Sequence, residues 1–532
     1  MRRTYLLAGA AFGLAASPVL AVPAAAETLR EALVKAYNGN PTLTAQRAAQ
    51  RATDENVPIA RAAGLPAVSV DGGYTENVLS ASNGNSNSFS SPNRLLNSSG
   101  SVSVPLLTFG AVRNSVRAAE TRVDAGRFTL RGTESDLFTD VVGAYMDVIR
   151  DDAIVGLNRQ NVRVLEVNLQ ATRDRFQVGD LTRTDVAQSD ARLALARSQL
   201  QSAEARLISS RENYVRLVGT PPGTLEQPPA LPALPASPDQ AVDVSLENNP
   251  ALLAAQRARD ATAFDIDVAR AGRLPRVSAV VGGVYNNYLG SLGSGTGVRV
   301  GQDSLSAQGG LQFTIPLFQG GRPAAQVRQA QARRSQAIEQ VTEAERGVIA
   351  STRSAYAVWR SSQEVIASSE VAVSANKLSL EGVRAENSVG NRTILDILNA
   401  EQELLNSQVN LVTARRDAYV AGFALLASMG RAQARDLNLE GADLALYDPV
   451  ANYDRVHHRI NDFESDPEPQ AVASGTRETP AQTATVVQPT DPSLNSNVDR
   501  GAAIRGAPNP GAANRAVDRS GANPAGDAAP RR

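Results

Sequence analysis

Two long stretches of this chain contain no proline. Residues 106–220 and 324–448, which are 115 and 125 residues long, hold none of the 28 prolines among the 532 residues. Both stretches are rich in Ala, Leu, Val, Arg, Gln and Glu, which a helix accommodates well, whereas a proline inside a helix removes a hydrogen bond and clashes with the preceding turn. The stretches therefore predict long helices and argue against a series of ordinary globular domains.

The chain also repeats itself. Asn40-Pro41 returns as Asn249-Pro250, and from Pro105, which matches Pro316, the offset stays at 211 residues. Further matches at this offset are Gly110 with Gly321, Val178-Gly179 with Val389-Gly390, Asp185 with Asp396, and Gly219 with Gly430. An offset kept over more than about 100 residues indicates a duplicated structural unit. We predict two repeats, residues 27–220 and 239–430, joined by the proline-rich linker 221–238.

Each repeat is expected to begin with two helices. In the first copy, Thr28 can cap a short helix that starts at Leu29, and Asn40 can cap a second helix with Pro41 in its first position. This second helix is predicted to end near Gly64, and its counterpart in the second copy near Leu274.

Two strands follow in each repeat. Alternation of apolar and polar residues predicts strands at 67–75 and 101–106, and again at 276–288 and 304–317. The Ser/Asn/Gly-rich segments 80–100 and 289–303 are predicted to be exposed loops.

A long helical hairpin completes each repeat. The first long helix is predicted from Gly110, or Gly321, to the Val-Gly turn, and the second from this turn to Gly219, or Gly430. Apolar residues spaced by seven indicate coiled-coil packing, with an ordinary amphipathic helix as the alternative. These residues are Val155, Val162, Leu169 and Phe176, and in the second copy Ile366, Val373 and Leu380.

The remaining segments are assigned from their composition. Residues 1–26 combine Arg2 and Arg3 with an apolar run and three alanines, which predicts a secretory signal peptide, with a membrane anchor as the alternative. Residues 431–460 are assigned to a C-terminal segment. Residues 461–532, which are rich in Pro, Ala, Gly, Asn and Thr, are predicted to be a disordered tail.

Few side chains suited to catalysis or metal binding are present. The chain has no cysteine and only two histidines, His457 and His458, and its formal net charge is −1. The absence of cysteine excludes thiolate chemistry, and the near-neutral net charge does not indicate a basic surface for nucleic acid. We therefore expect no enzymatic activity, no metal and no cofactor.

Four strands are too few to close a barrel, because about eight is the smallest number that does so. An open sheet edge in a membrane would leave backbone amides without partners. The chain is therefore expected to share its sheet with copies of itself, and the residues alone leave two and three copies open.

The combined pattern resembles the TolC family of outer-membrane efflux and secretion channels. The resemblance rests on the segments Val178 to Val186 and Val389 to Asn399, on the Asn-Pro-x-Leu helix starts, and on the Ala-Arg…Leu-Pro strand entries. It covers residues 28 to about 445. It implies an α+β membrane protein that forms a homotrimer, with a twelve-stranded β-barrel in the outer-membrane lipid and a long α-helical barrel in the periplasm.

The resemblance also implies a function and partners. The trimer would be a passive export duct, gated at the periplasmic helix tips and opened by a periplasmic adaptor protein and an inner-membrane ABC or proton-driven transporter. The absence of a lipid-anchor cysteine and the segment from Tyr447 to Tyr453 favour type I protein secretion. The alternatives are small-molecule efflux and, as a different class, a soluble periplasmic coiled-coil scaffold.

Gate residues are implied by position. Arg392 would donate hydrogen bonds to Thr184 and Asp185 of a neighbouring hairpin, and Asp396 would form the constriction ring. The chain has Asn399 where the family typically has a second ring of Asp, so we expect three carboxylates at the mouth instead of six.

Two further features of the hairpin tips follow from the resemblance. Asn387 replaces a tyrosine that commonly joins the gate link in the family. Gly179 and Gly390 leave a bare backbone where the adaptor would dock, and helix reversal alone is the simpler role for them.

Overall fold

The computed structural model describes residues 26–78, 92–292, 300–441 and 444–486. The predicted signal peptide up to residue 25, parts of both predicted loops, and the end of the predicted tail lie outside the described residues.

The described elements follow the predicted order in both repeats. The first repeat contains α1 (Leu29–Gly39), α2 (Pro41–Asp54), α3 (Asn56–Ala62), β1 (Ala67–Glu76), β2 (Arg94–Leu107), α4 (Ala111–Gln177) and α5 (Arg183–Val218). The second contains α6 (Pro238–Asn248), α7 (Pro250–Ala271), β3 (Arg276–Asn287), β4 (Asp303–Thr314), α8 (Arg322–Ser388) and α9 (Ile394–Ser428), and α10 (Ala451–Val456) follows it.

The long helices begin and end where the sequence predicts. Helices α4 and α8 each have 67 residues, which corresponds to about 100 Å at 1.5 Å per residue. Gly110 precedes α4 with φ +85°, and Gly321 precedes α8 with φ +82°. These left-handed conformations favour glycine, so the chain enters both helices through turns that its sequence specifies.

The second helix of the first repeat is broken, which corrects the prediction of one continuous helix to Gly64. The chain leaves α2 after Asp54 and restarts as α3 at Asn56. Pro58 explains the break, because its ring lacks an N–H group and would clash with the carbonyl group of Asp54 in a continuous helix. The second repeat has no proline at this place, and α7 is uninterrupted.

The four strands form one antiparallel sheet in the order β1-β2-β3-β4. Strand β2 begins at Arg94, so the prediction that residues 94–100 belong to a loop is wrong. These residues pair with β1 on one side and, from Leu96, with β3 on the other. Pairing on both sides satisfies the backbone of a segment whose Ser and Asn side chains disfavour a strand locally.

The two faces of the sheet differ in chemistry. Cross-strand register places exposed apolar side chains of all four strands on one face. They include Val68, Val70, Tyr74, Leu96, Val281, Tyr285, Leu305, Leu311 and Phe313. The opposite face is mostly polar and includes Ser69, Asp71, Ser101, Gln308 and Gln312. Strands β1 and β4 each have one unpaired edge within this chain.

Each long helix packs against the helix that follows it. Helix α4 contacts α5, and α8 contacts α9, while α4 also contacts α7 and α9 and so joins the repeats. Val155, Val162 and Leu169 are buried as the heptad spacing predicts, but Phe176 is 43% exposed. Phe176 lies in the last turn of α4, where α5 has not yet begun, so none of the described helices covers it.

The largest apolar core lies midway along the molecule. It joins α1, α4 and α9 with the chain that follows α9, through residues such as Tyr37, Phe138, Tyr145, Phe423 and Met429. The predicted C-terminal segment thus contributes to the core, since Ala432, Ala434, Leu439 and Leu444 belong to it.

Tyrosine hydroxyl groups hold the proline-rich linker against this core. Tyr145 donates to the carbonyl oxygen of Glu226 over 2.6 Å and also to that of Glu27. Tyr356, its counterpart in the second repeat, donates to Ala236, and Tyr419 donates to Pro229. A segment rich in proline has few N–H donors of its own, so its carbonyl groups need donors from elsewhere.

Part of the predicted disordered tail contacts the first hairpin. Residues 482–486 lie against α4 and α5, where Arg159 and Arg211 donate hydrogen bonds to their carbonyl groups. Contacts distant in sequence thus satisfy part of the backbone of this segment, for which composition alone predicts disorder. No helix within the described residues is long and apolar enough to cross a membrane.

Candidate functional site

Both hairpin tips adopt one backbone geometry. At the first tip, the Asp180 N–H donates to the Arg175 carbonyl oxygen and the Gly179 N–H donates to that of Phe176. Gly179 has φ +83° and Gly390 has φ +82°. A Cβ atom added to either glycine would meet no atom within 4 Å. Both glycines are therefore required by the reversal of the chain, and both leave open space above the backbone.

At both tips, a capping box begins the second helix of the hairpin. The Asp185 carboxylate accepts hydrogen bonds from the Thr182 N–H over 2.9 Å and from the Thr182 hydroxyl group over 2.7 Å. Thr393 and Asp396 repeat these contacts at the same distances. The Thr182 contacts hold the pKa of Asp185 below its ordinary value, and the Thr393 contacts do the same for Asp396.

The predicted gate carboxylates thus have a structural role that our sequence reasoning missed. The pattern Thr-x-x-Asp before a helix is a readable signal for a capping box, and it occurs at both tips. Asp185 and Asp396 are consequently fixed in position and ionised at neutral pH.

Arg392 forms an ion pair within its own hairpin. Its Nε lies 2.7 Å from the Glu386 carboxylate, and both side chains are about half exposed. Asn387 donates to the Arg392 carbonyl oxygen over 2.7 Å. Among the described residues, no ion pair joins Arg392 to Asp185, and Thr184 is exposed. The predicted link stays a prediction about contacts between chains.

Asn399 connects the two hairpins of one chain. Its side-chain oxygen accepts a hydrogen bond from Arg192 of α5 over 2.6 Å. The sequence predicted a place for Asn399 at the mouth, but its partner could not be read from local patterns because Arg192 lies 207 residues away.

A buried polar cluster lies two residues further along α9. Glu401 of α9 is 95% buried as a side chain and pairs with Arg384 of α8 over 2.9 Å. Asn168 of α4 also donates to the Glu401 carboxylate. One carboxylate thus joins three long helices of both repeats, and our sequence reasoning did not identify it.

Replacement of Glu401 by glutamine should reduce the pH dependence of stability. Burial raises the pKa of Glu401 above its ordinary value of 4.5, and the contacts with Arg384 and Asn168 oppose this only in part. The protonated carboxyl group therefore contributes stability below pH 4.5, and this contribution is lost as the pH rises through the raised pKa. Thermal unfolding followed by circular dichroism should show that wild type loses stability relative to Glu401→Gln between pH 4 and 8.

The control for this measurement is Glu403→Gln, which removes an exposed carboxylate two residues away. This variant should keep the pH profile of wild type. Parallel profiles for wild type and Glu401→Gln would contradict the role assigned to burial.

The two histidines lie away from the tips. His457 stacks on Tyr453, and the His458 ring contacts the Arg61 guanidinium group. The described part of the chain holds no group of three or more His, Cys, Asp or Glu residues arranged to hold a metal ion.

Comparison with known proteins identifies relatives over most of the chain. The family model described as outer membrane efflux protein matches residues 32–220 and 241–431. The outer membrane efflux protein BepC of Brucella suis biovar 1 is 34% identical over 454 residues, which cover 85% of this chain and 95% of BepC. The alkaline protease secretion protein AprF of Pseudomonas aeruginosa is 28% identical over 59% of this chain and 65% of AprF.

Solved structures show the same fold. The outer membrane protein VceC of Vibrio cholerae superposes with a TM-score of 0.64 at 22% identity, over 76% of this chain and 96% of VceC. The two segments matched by the family model correspond to the two repeats, each with its strand pair and long hairpin.

Proposed function

The chain belongs to the outer membrane efflux protein family, and on this basis we propose that it forms a passive, gated export duct through the outer membrane and the periplasm. It is a channel protein and not an enzyme. The chain is located in the outer membrane, as its relatives are by name.

The observation that carries this proposal is the open sheet with one apolar face. Leu305, Leu311 and Phe313 of β4 are each more than half exposed, although they are large and apolar. Contact with lipid removes this face from water, and pairing of β4 with β1 of a neighbouring chain satisfies both unpaired edges. Three chains would then supply twelve strands, whose polar faces would line the lumen.

The helices support the same assembly. Helix α8 carries two exposed apolar pairs, Val358 with Val365 and Val371 with Leu378, with fractional exposures between 48% and 71%. The members of each pair are seven residues apart and share a face of the helix, whereas the two pairs lie on different faces. A homotrimer would bury these side chains against neighbouring helices and close the helical barrel.

The gate is proposed at the hairpin tips. In the trimer, Arg392 would form links with Thr184 and Asp185 of a neighbouring hairpin, in competition with its own Glu386. Asp396 would form a ring of three carboxylates, with Asn399 adding a polar but uncharged layer. Because Thr393 holds the Asp396 carboxylate in place, the ring would present fixed negative charge to passing cations.

Opening requires partners at the same tips. The exposed backbone at Gly179 and Gly390 suits close approach of another helical hairpin, which we assign to a periplasmic adaptor protein. Energy would come from an inner-membrane transporter bound to that adaptor.

The first candidate cargo is protein, exported by a type I system with an ABC transporter. The relative AprF, which is named for alkaline protease secretion, supports it. The second candidate is small-molecule efflux, and BepC, which is named an outer membrane efflux protein, supports efflux in general. The segment from Tyr447 to Tyr453 no longer distinguishes them, because Arg47 lies over the Tyr447 ring and Arg127 over the Tyr453 ring, which gives both tyrosines a packing role.

Conductance of the purified protein in planar bilayers tests the proposed duct. Wild type should give small, cation-selective steps that divalent cations block, and Asp396→Asn should lose this block because the ring loses its charge. Asn keeps an oxygen that can accept the Thr393 hydrogen bonds, so the helix start is preserved. Asp185→Asn changes the equivalent capping box in the first repeat and the charge of a proposed partner of Arg392, but it leaves the Asp396 ring charged, so the divalent block should remain.

Two outcomes would contradict the proposal. Absence of conductance from a trimeric, detergent-extracted sample would favour the periplasmic scaffold. Equal loss of divalent block in Asp185→Asn and Asp396→Asn would place the constriction elsewhere.

A further inference from the structure

A groove on the hairpin formed by α4 and α5 holds an extended segment of the same chain. The groove has an apolar floor formed by Val155, Ala203 and Leu207, all of which are buried. Ala484 and Val486 pack against this floor. Residues 482, 484 and 486 are partly buried, whereas 481, 483 and 485 are exposed, so the segment is extended with alternate side chains directed inward.

Polar side chains of the groove form hydrogen bonds with the backbone of this segment. Arg211 donates to the carbonyl oxygens of Thr483 and Thr485, over 2.5 Å and 2.8 Å. Arg159 donates to the Ala484 carbonyl oxygen over 2.8 Å, and the Glu212 carboxylate accepts the Gln482 N–H over 2.9 Å. Every residue from 482 to 485 thus has a backbone group bound by the hairpin.

Arg211 depends on this segment for two of its hydrogen-bond acceptors. Its side chain is 7% exposed and pairs with Asp152, which is 2% exposed, over 3.0 Å. A guanidinium group has five N–H donors, and a buried one is costly unless they find acceptors. Asp152 supplies one acceptor, and the tail supplies two more.

The second repeat fills the equivalent place differently. At the offset of 211 residues, Arg211 corresponds to Gly422 and Arg159 corresponds to Glu370, so the pair of arginines occurs in the first repeat alone. A Cβ atom added to Gly422 would lie 2.5 Å from Leu231 of the linker. The segment after the first repeat therefore packs on the second hairpin, and the segment after the second repeat packs on the first.

We propose that residues 482–486 are a built-in strap, which binds as an extended peptide in the α4/α5 groove and holds these two helices in their present packing. The strap bridges α4, through Arg159, and α5, through Arg211 and Glu212. Movement of one helix along the other would break contacts with the strap, so an occupied groove restrains the hairpin whose tip carries Gly179. The effect on gating rests on the proposed export duct, whereas the binding of the strap does not.

Crosslinking in the full-length trimer tests the binding. Because the natural chain has no cysteine, Ala203→Cys combined with Ala484→Cys introduces one defined pair. A short bismaleimide should join the two positions within one chain, which then migrates as a monomer after denaturation. Ala414 is the counterpart of Ala203 in the second repeat, so Ala414→Cys with Ala484→Cys is the matched control. Crosslinking no greater than in this control, or crosslinking mainly between chains, would overturn the proposal.

Two truncated chains test whether the strap restrains the α4/α5 hairpin. A chain ending at Thr479 lacks the strap, and a chain ending at Thr490 keeps it. In the first, amide hydrogen exchange in residues 148–162 and 200–214 should be at least about tenfold faster than in the full chain, because local opening becomes easier. The second should match the full chain, and equal exchange in both truncations would overturn the restraint.

Conductance then separates the strap from the duct itself. The chain ending at Thr479 should open more often in bilayers than the chain ending at Thr490. Equal opening of the two truncations would overturn the role in gating, while failure of the duct proposal would appear as absence of conductance in the full chain as well.

Discussion

Channels with Arg392→Ser should conduct more in their resting state than wild type. Serine keeps the turn but cannot reach Thr184 or Asp185 of the neighbouring hairpin. One exposed ion pair is weak, but the trimer would lose three symmetric links at once, so the ratio of open to closed channels should rise at least about threefold. Single-channel recordings in planar bilayers at low salt measure this ratio directly.

Glu386→Gln is the matched control, because Glu386 pairs with Arg392 inside one hairpin. This variant removes the internal ion pair and leaves Arg392 available for the link between chains. It should therefore keep the closed state or favour it. A resting conductance raised equally in both variants would show that the internal pair, and not the link between chains, holds the tip. An unchanged conductance in Arg392→Ser would refute the assignment.

Replacement of Gly390 by tryptophan should abolish export while the channel still folds. A side chain at φ +82° is strained by about 1–2 kcal/mol, but the space around Gly390 is empty within the chain, so the indole ring meets no neighbour there. The ring would instead occupy the space through which a partner hairpin approaches. Export in cells and co-purification of the adaptor are the measurements.

Gly390→Ala separates strain from steric obstruction. Alanine imposes nearly the same backbone strain and adds one carbon atom, so it should retain most of the export activity. Equal loss in both variants would mean that the turn itself matters, and normal adaptor binding by Gly390→Trp would exclude docking at this tip. The same two replacements at Gly179 would show whether the tip of the first repeat also takes part in docking.

Local physical chemistry made the helical part of this fold predictable. Proline-free sequence, a glycine before each long helix and a Val-Gly turn after it specify two 67-residue helices without help from distant residues. The capping box at Thr393 and Asp396 and the break caused by Pro58 have equally local signals, although our sequence reasoning used neither of them. These signals act within a few residues, which is why a single sequence reveals them.

Distant contacts decided the rest. Arg94 to Gly100 become a strand because β1 and β3 pair with them, although their composition suggested a loop. Phe176 fits the heptad spacing and is still exposed, because spacing cannot tell where the partner helix begins.

The sequence by itself determined the duplicated plan of helices and strands, since periodicity, caps and turns are properties of neighbouring residues. The tertiary structure alone decided which polar groups meet. Arg192 finds Asn399, Glu401 joins three helices, and Arg211 binds carbonyl groups 272 and 274 residues away. A buried charge or an unpaired carbonyl group takes whichever partner the packed helices bring within reach, and no local pattern encodes that choice.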